Sequence, residues 1–265
     1  MHLITNRSAA VWLPLAAALL VAGCSKPEER AENYAREAVA YYDKGDVPRA
    51  KLEARNALQL APKNVPARFL LARIAEQDGE VGPLLGHLEV VIAEDPTHVE
   101  ARLMLAKLLI SARDFDGLKL VMDQLATLAP DSPDYQVLTA RLRFQAEDIP
   151  AGIAILDQVL AKDPKNAEAI LLRGVALSAS DPDRALADLG TAAAGLDREA
   201  AKPLRQARIE ILSRQRDAAG VERELRALVA DYPEGGYGAD LARFLVATGR
   251  VDQAEAALRE AIKVD

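Results

Sequence analysis

Pro62, Pro96, Pro130 and Pro164 stand 34 residues apart, and Ala38, Ala72, Ala106, Ala140 and Gly174 keep the same step. A period of this length rules out one idiosyncratic core and points to stacked copies of one supersecondary unit. Each proline stops a helix, because its ring clashes with the preceding turn and it has no N–H to donate. The small residues mark where two helices come close. Between them, Leu84, Leu88, Val91 and Ile92 make an apolar stripe at helical spacing. Helices of about 12–14 residues are marginal alone in water, so each must bury its stripe against its neighbours.

With Ala31 as position 1, repeats begin at Ala31, Val65, Val99, Pro133 and Ala167, then near Lys202 and near Gly235. In the first repeat Tyr34, Ala38, Tyr41, Gly45, Ala50, Ala57 and Pro62 fall where the tetratricopeptide repeat (TPR) carries its consensus residues. The chain resembles that family over residues 31–265. The resemblance implies an all-α fold, a right-handed superhelical TPR solenoid of about seven helix-turn-helix repeats. The turns repeat their chemistry as well. Gly45-Asp46-Val47-Pro48, Glu80-Val81-Gly82-Pro83, Glu147-Asp148-Ile149-Pro150 and Ser180-Asp181-Pro182 each put an acid beside a proline at the start of the second helix. Proline is tolerated there because that N–H has no intrahelical partner, and an acid favours the helix dipole.

The match weakens toward the C-terminus. Repeat four has Thr139 and Arg143 at apolar positions, and the turn of repeat five is one residue short. The segment 197–203 reads as irregular, and the glycines of 232–238 as a flexible junction. The sequence ends at Asp265 near the close of the seventh repeat. Solenoids usually carry a polar capping element. Either the last helix is polar enough, or a partner covers it, or the native chain continues.

Residues 1–23 read as an export signal. Arg7 and the amino terminus give a positive end, and an apolar run from Ala9 to Ala22 follows, broken only by Pro14. The run is short for a membrane span of about 20 residues. Leu20-Val21-Ala22-Gly23-Cys24 resembles the lipobox of bacterial lipoproteins, which implies cleavage before Cys24 and lipidation of its sulfur. A thiolate is a good nucleophile for an acyl-glyceryl donor, and Cys24 is the only cysteine of the chain, so no disulfide framework competes for it. The other reading is an ordinary signal peptide with an incidental cysteine. Residues 24–30 then form a short lipid-proximal tether. Ser25, rather than Asp, follows the cysteine. By the lipoprotein resemblance this implies the outer membrane, with the repeats facing the periplasm.

Composition excludes some partners. The net charge is −7, which argues against a phosphate backbone as ligand and so against nucleic acid. Nothing in the chain suggests an enzyme, a metal or a cofactor. The three histidines, His2, His87 and His98, have no metal-ligand spacing, and neither a GxxxxGK[ST] loop nor a GxSxG elbow occurs.

In TPR proteins the first helix of each repeat lines the concave face with positions 2, 5, 9 and 12. Here position 5 gives Ala35, Phe69, Leu103, Val137 and Leu171. Position 9 gives Val39, Arg73, Lys107, Arg141 and Val175, and position 12 includes Tyr42 and Phe144. The resemblance therefore makes Phe69, Arg73, Leu103, Lys107, Val137, Arg141 and Phe144 a candidate protein-binding groove, suited to an extended or helical peptide with acidic and apolar residues. The competing reading pairs the cations internally with Glu100, Asp134 and Glu168 at position 2. The implied function is a lipid-anchored periplasmic scaffold, monomeric or bound to its partner, that helps assemble an envelope machine. The stretch 44–62 is similar to the TPR lipoproteins of exosortase/PEP-CTERM exopolysaccharide systems, and the whole to pilus-assembly lipoproteins. The alternative is an adaptor that tethers cell-wall hydrolases or proteases.

Overall fold

The computed structural model describes residues 26–263. They form fourteen helices, with no strand among the described residues. The first helices of the seven repeats are α1 (Pro27–Asp43), α3 (Val65–Gln77), α5 (Val99–Ala112), α7 (Pro133–Gln145), α9 (Ala167–Leu177), α11 (Arg198–Arg214) and α13 (Tyr237–Ala247). The second helices are α2 (Val47–Leu60), α4 (Val81–Glu94), α6 (Phe115–Leu128), α8 (Ile149–Lys162), α10 (Pro182–Gly195), α12 (Ala218–Asp231) and α14 (Val251–Ala261). This is the TPR solenoid class expected from the 34-residue period. The signal peptide at 1–23, Cys24 and Ser25 lie outside the described residues.

The described residues divide into two compact units, with the division between Asp123 and Gln124. In the first, Ala35, Ala38, Ala50, Ala54, Ala57 and Ala67 pack with Leu70, Leu71 and Ile74. The alanines let backbones approach so closely that contact area comes from shape rather than from large side chains. A second cluster adds Leu84, Leu88 and Val91, the stripe read from the sequence. In the second unit, Gly174 sits against Leu189. A Cβ at Gly174 would lie 2.7 Å from the Leu189 Cγ, so the step from alanine to glycine in the small-residue comb makes room for that leucine.

The second unit also carries ion pairs from first helices to the second helices on either side. Arg173 of α9 reaches Asp157 of α8 at 2.8 Å and Asp188 of α10 at 3.0 Å. One repeat on, Arg208 of α11 holds Glu224 of α12 at 2.8 Å and donates to the Leu186 carbonyl of α10. Both arginines occupy position 7. In repeat seven position 7 is Leu241, and the same register is an apolar pocket of about 500 Å³ among Val229, Leu241, Leu245 and Ala257.

Inside each repeat the joint between helices is set by the main chain. Gly45, Gly79, Arg113, Glu147, Arg216 and Gly249, all at position 15, have positive φ between 58° and 78°. The next N–H then returns to a carbonyl five residues back: Asp46 to Tyr41, Glu80 to Ala75, Asp114 to Leu109, Asp148 to Arg143, Asp217 to Leu212 and Arg250 to Leu245, at 2.8–3.0 Å. This is the Schellman closure of a helix C-terminus. Repeat five, one residue short, closes instead from Asp181 to Leu177, four residues back.

The acids beside the turn prolines cap the second helices, with one exception. Asp46, Asp148 and Asp181 accept from the N–H three residues on, whereas Glu80 makes no side-chain cap bond. Glutamate has one methylene too many for the short cap geometry. Three further expectations need correction. First, α1 begins at Pro27, so most of the segment read as a tether is helical; proline at N1 and Glu28 and Glu29 in the first turn favour that start. Second, segment 197–203 is regular. Asp197 caps α11 by accepting from Ala200 N–H, and Pro203 lies inside the helix, held by the burial of Ala201, Leu204 and Ala207. Third, the glycine-rich junction is packed. Gly236 supplies one left-handed residue, while Tyr232 and Tyr237 are buried with ring centroids 6.0 Å apart, and the Tyr232 hydroxyl donates to the Arg198 carbonyl.

Candidate functional site: the first-helix groove

The structure places the seven predicted groove residues in three different settings. Phe69 and Arg73, on α3, line a pocket of about 370 Å³ together with Val39 of α1, Val65, Pro66 and, from the α4–α5 junction, Asp95 and His98. A neighbouring pocket of about 450 Å³ shares Val39 and Pro66 and adds Glu32, Ala35 and Arg36. The two share lining residues and form an apolar trough across repeats one and two, with Arg36 and Arg73, and also Glu32 and Asp95, among its lining. Arg73 lies over the Tyr42 ring, 4.7 Å from guanidinium carbon to centroid, and the Tyr42 hydroxyl accepts from Gln77 at 2.6 Å.

Leu103 and Val137 are different. They are 7% and 2% exposed, so they belong to the helix interfaces and offer almost no surface to a ligand. Phe144 is half-buried and packs with Val137, Ala140 and Leu156; its ring fills the space over Gly152, where a Cβ would overlap it. The glycine at 152 is the signal that assigns Phe144 to the interface between α7 and α8.

The cations also part company. Arg141 is paired with Glu168 at 3.1 Å, as the internal-pairing reading expects for that repeat. Arg73 makes its aromatic contact with the repeat before it. Lys107 is exposed on α5, and its carbonyl accepts from the Ser111 hydroxyl.

The residue that sequence reasoning missed is His98. Its Nδ1 accepts from the Ala101 N–H at 3.2 Å, capping α5. Its ring sits against Phe69 with centroids 4.4 Å apart, tilted by 51°. A signal for it exists in the sequence: Asn64, His98, Ser132 and Asn166 are spaced by 34 and all cap first helices. Beside it, Asp95 accepts from the Thr97 hydroxyl and N–H at 2.7 and 2.9 Å, and these bonds hold its carboxyl below the usual carboxylate range. Arg102, 4% exposed, donates to the His98 carbonyl at 3.5 Å. Among the described residues no group of three or more His, Cys, Asp or Glu side chains could hold a metal ion, and no helix is long and apolar enough to cross a membrane.

Paired helices on a 34-residue step, with an open trough on the first helices, define a helical-repeat protein of the protein-binding class. Tetratricopeptide-repeat models match residues 35–82, 85–142 and 137–202, more than half of the chain, and the chain belongs to the tetratricopeptide-repeat family. No curated protein sequence matches it significantly. Among solved structures, PilF of Pseudomonas aeruginosa is 14% identical with a TM-score of 0.57, covering 84% of this chain and 100% of its own. PilW, described as a widely conserved type IV pilus biogenesis factor, is 15% identical with a TM-score of 0.62, covering 81% and 98%. YrrB, described as a TPR protein with an unusual peptide-binding site, is 14% identical with a TM-score of 0.50, covering 71% and 93%. At these identities the likeness is one of fold.

Proposed function

We propose that this protein is a lipid-anchored periplasmic scaffold, without chemistry of its own, that captures a partner protein during assembly of an envelope machine. The observation that carries the binding half is the trough of repeats one and two. It exposes Val39, Pro66 and part of Phe69 beside Arg36 and Arg73, a combination suited to a segment with apolar and acidic side chains. The anchoring half rests on Leu20-Val21-Ala22-Gly23-Cys24 and on Ser25, which favours the outer membrane. Three acyl chains at about 0.8 kcal/mol per buried CH₂ would hold the chain at the membrane essentially permanently. Among envelope machines a pilus, a secretion apparatus and an exopolysaccharide exporter all fit. The fold shared with PilF and PilW favours the first.

The test joins both halves. Cells producing the wild type, Cys24→Ala or the double variant Val39→Asp/Arg73→Glu are fractionated, and partners are crosslinked in place. The Cys24→Ala chain is expected to leave the membrane fraction or to accumulate unprocessed. The groove variant is expected to stay anchored and helical while losing its crosslinks. Normal processing and membrane retention of Cys24→Ala would refute the anchor. Undiminished crosslinking of a folded groove variant would refute the trough.

A further inference from the structure

We propose that His98 makes the first turn of α5, and with it one wall of the trough, sensitive to pH, because its imidazole can serve as helix cap only while Nδ1 is unprotonated. The significance of that wall for binding rests on the function proposed above; the cap itself does not.

The geometry dictates the chemistry. Nδ1 accepts the Ala101 N–H at 3.2 Å, so in the capped state the ring proton sits on Nε2. The equivalent caps, Asn64, Ser132 and Asn166, accept from the N–H three residues on through an amide or hydroxyl oxygen, and neither group titrates near neutrality. His98 alone among these four caps through a ring nitrogen, whose single lone pair is lost when that nitrogen takes a proton. A proton on Nδ1 would set two donors face to face and put a positive charge at the positive end of α5. The ring would then have to leave the Ala101 N–H, and Phe69 would lose the partner that rests against it.

The charged groups around the ring pull in opposite directions. From α3, Arg73 lines the same pocket and opposes a second positive charge. From α5, Arg102 lies against the His98 carbonyl and does the same. From the α4–α5 junction, Asp95 favours the imidazolium, and Thr97 bonds only its Oδ1. From α1 the neighbour in the pocket is Val39, which carries no charge. Whichever way these charges balance, a proton on Nδ1 removes the lone pair that holds the Ala101 N–H, and the cap is broken.

The local readout is the Ala101 amide. Its hydrogen exchange is measured by NMR in the full chain at pH 7.5 and 5.5, corrected for the intrinsic pH dependence of exchange. Wild type is compared with His98→Asn and His98→Ser, which copy the caps of neighbouring repeats. Protection of Ala101 is expected to fall about three- to tenfold on acidification in the wild type, the loss that one cap bond implies. It is expected to hold steady in both variants. An equal fall in wild type and variants, or no fall in the wild type, overturns the proposal. Global melting would not discriminate, since His87 lies in the same unit and its depressed pKa makes that unit's stability depend on pH as well. Crosslinking of the Val39→Asp/Arg73→Glu variant bears on the trough alone, so failure of the binding reading and failure of the cap are separately visible.

Discussion

Gly152 has no side chain because Phe144 occupies that volume. Gly152→Ala is expected to destabilise the second unit by about 1–3 kcal/mol, since an aromatic ring wedged between two helices cannot yield cheaply; chemical denaturation measures it. The same contact explains why Phe144 was misread from the sequence. Position 12 tells which face a residue occupies, but only the glycine across the repeat tells that the ring turns inward. His87 offers a second residue-level test. Partial burial, and then the Arg68 guanidinium 3.2 Å from its Nδ1, push its pKa below the ordinary histidine value. A depressed folded pKa means that this stabilisation is complete above the unfolded value of about 6.5 and is lost as pH falls through the folded one. His87→Gln is therefore expected to flatten the loss of stability of the first unit between pH 7 and pH 5, followed by thermal melting.

At the scale of the helix and its turn, position 15 is decisive. Three repeats satisfy its positive φ with glycine, and three hold Arg113, Glu147 and Arg216 there. An L side chain in that region costs about 1–2 kcal/mol, partly offset by the greater freedom that glycine gives the unfolded chain. Arg113→Gly, Glu147→Gly and Arg216→Gly are each expected to stabilise by about 0.5–1 kcal/mol, measured by urea unfolding, while Gly79→Ala should destabilise by a similar amount. Helix starts were legible because prolines and cap residues mark them. Pro203 misled because a local rule was applied without the buried stripe of Ala201, Leu204 and Ala207 that overrides it. The tyrosines at 232 and 237 misled for the converse reason: glycines signal backbone freedom, but two large rings with a shared core supply the order.

For the whole molecule, the period makes fold class, repeat number and the starts of most repeats readable from the residues alone. The groove was readable only in part. A repeat fixes which positions recur on a face, so Phe69, Leu103 and Val137 share a register, but exposure depends on how closely each pair of repeats packs. It is high at Arg73, where the neighbours are Val39 and Tyr42, and nearly nil at Val137, which packs against Ala140 and Leu156. The joints between helices have a consequence of another kind. Because each closes through its own carbonyl and amide, the turn makes the same few local demands in repeat after repeat, at position 15 and at the cap beside it. Repeats built on such joints are interchangeable parts: one can be duplicated, deleted or replaced by a neighbour without redesigning the connection. Repeat five, closed four residues back instead of five, is the one part cut to a different gauge.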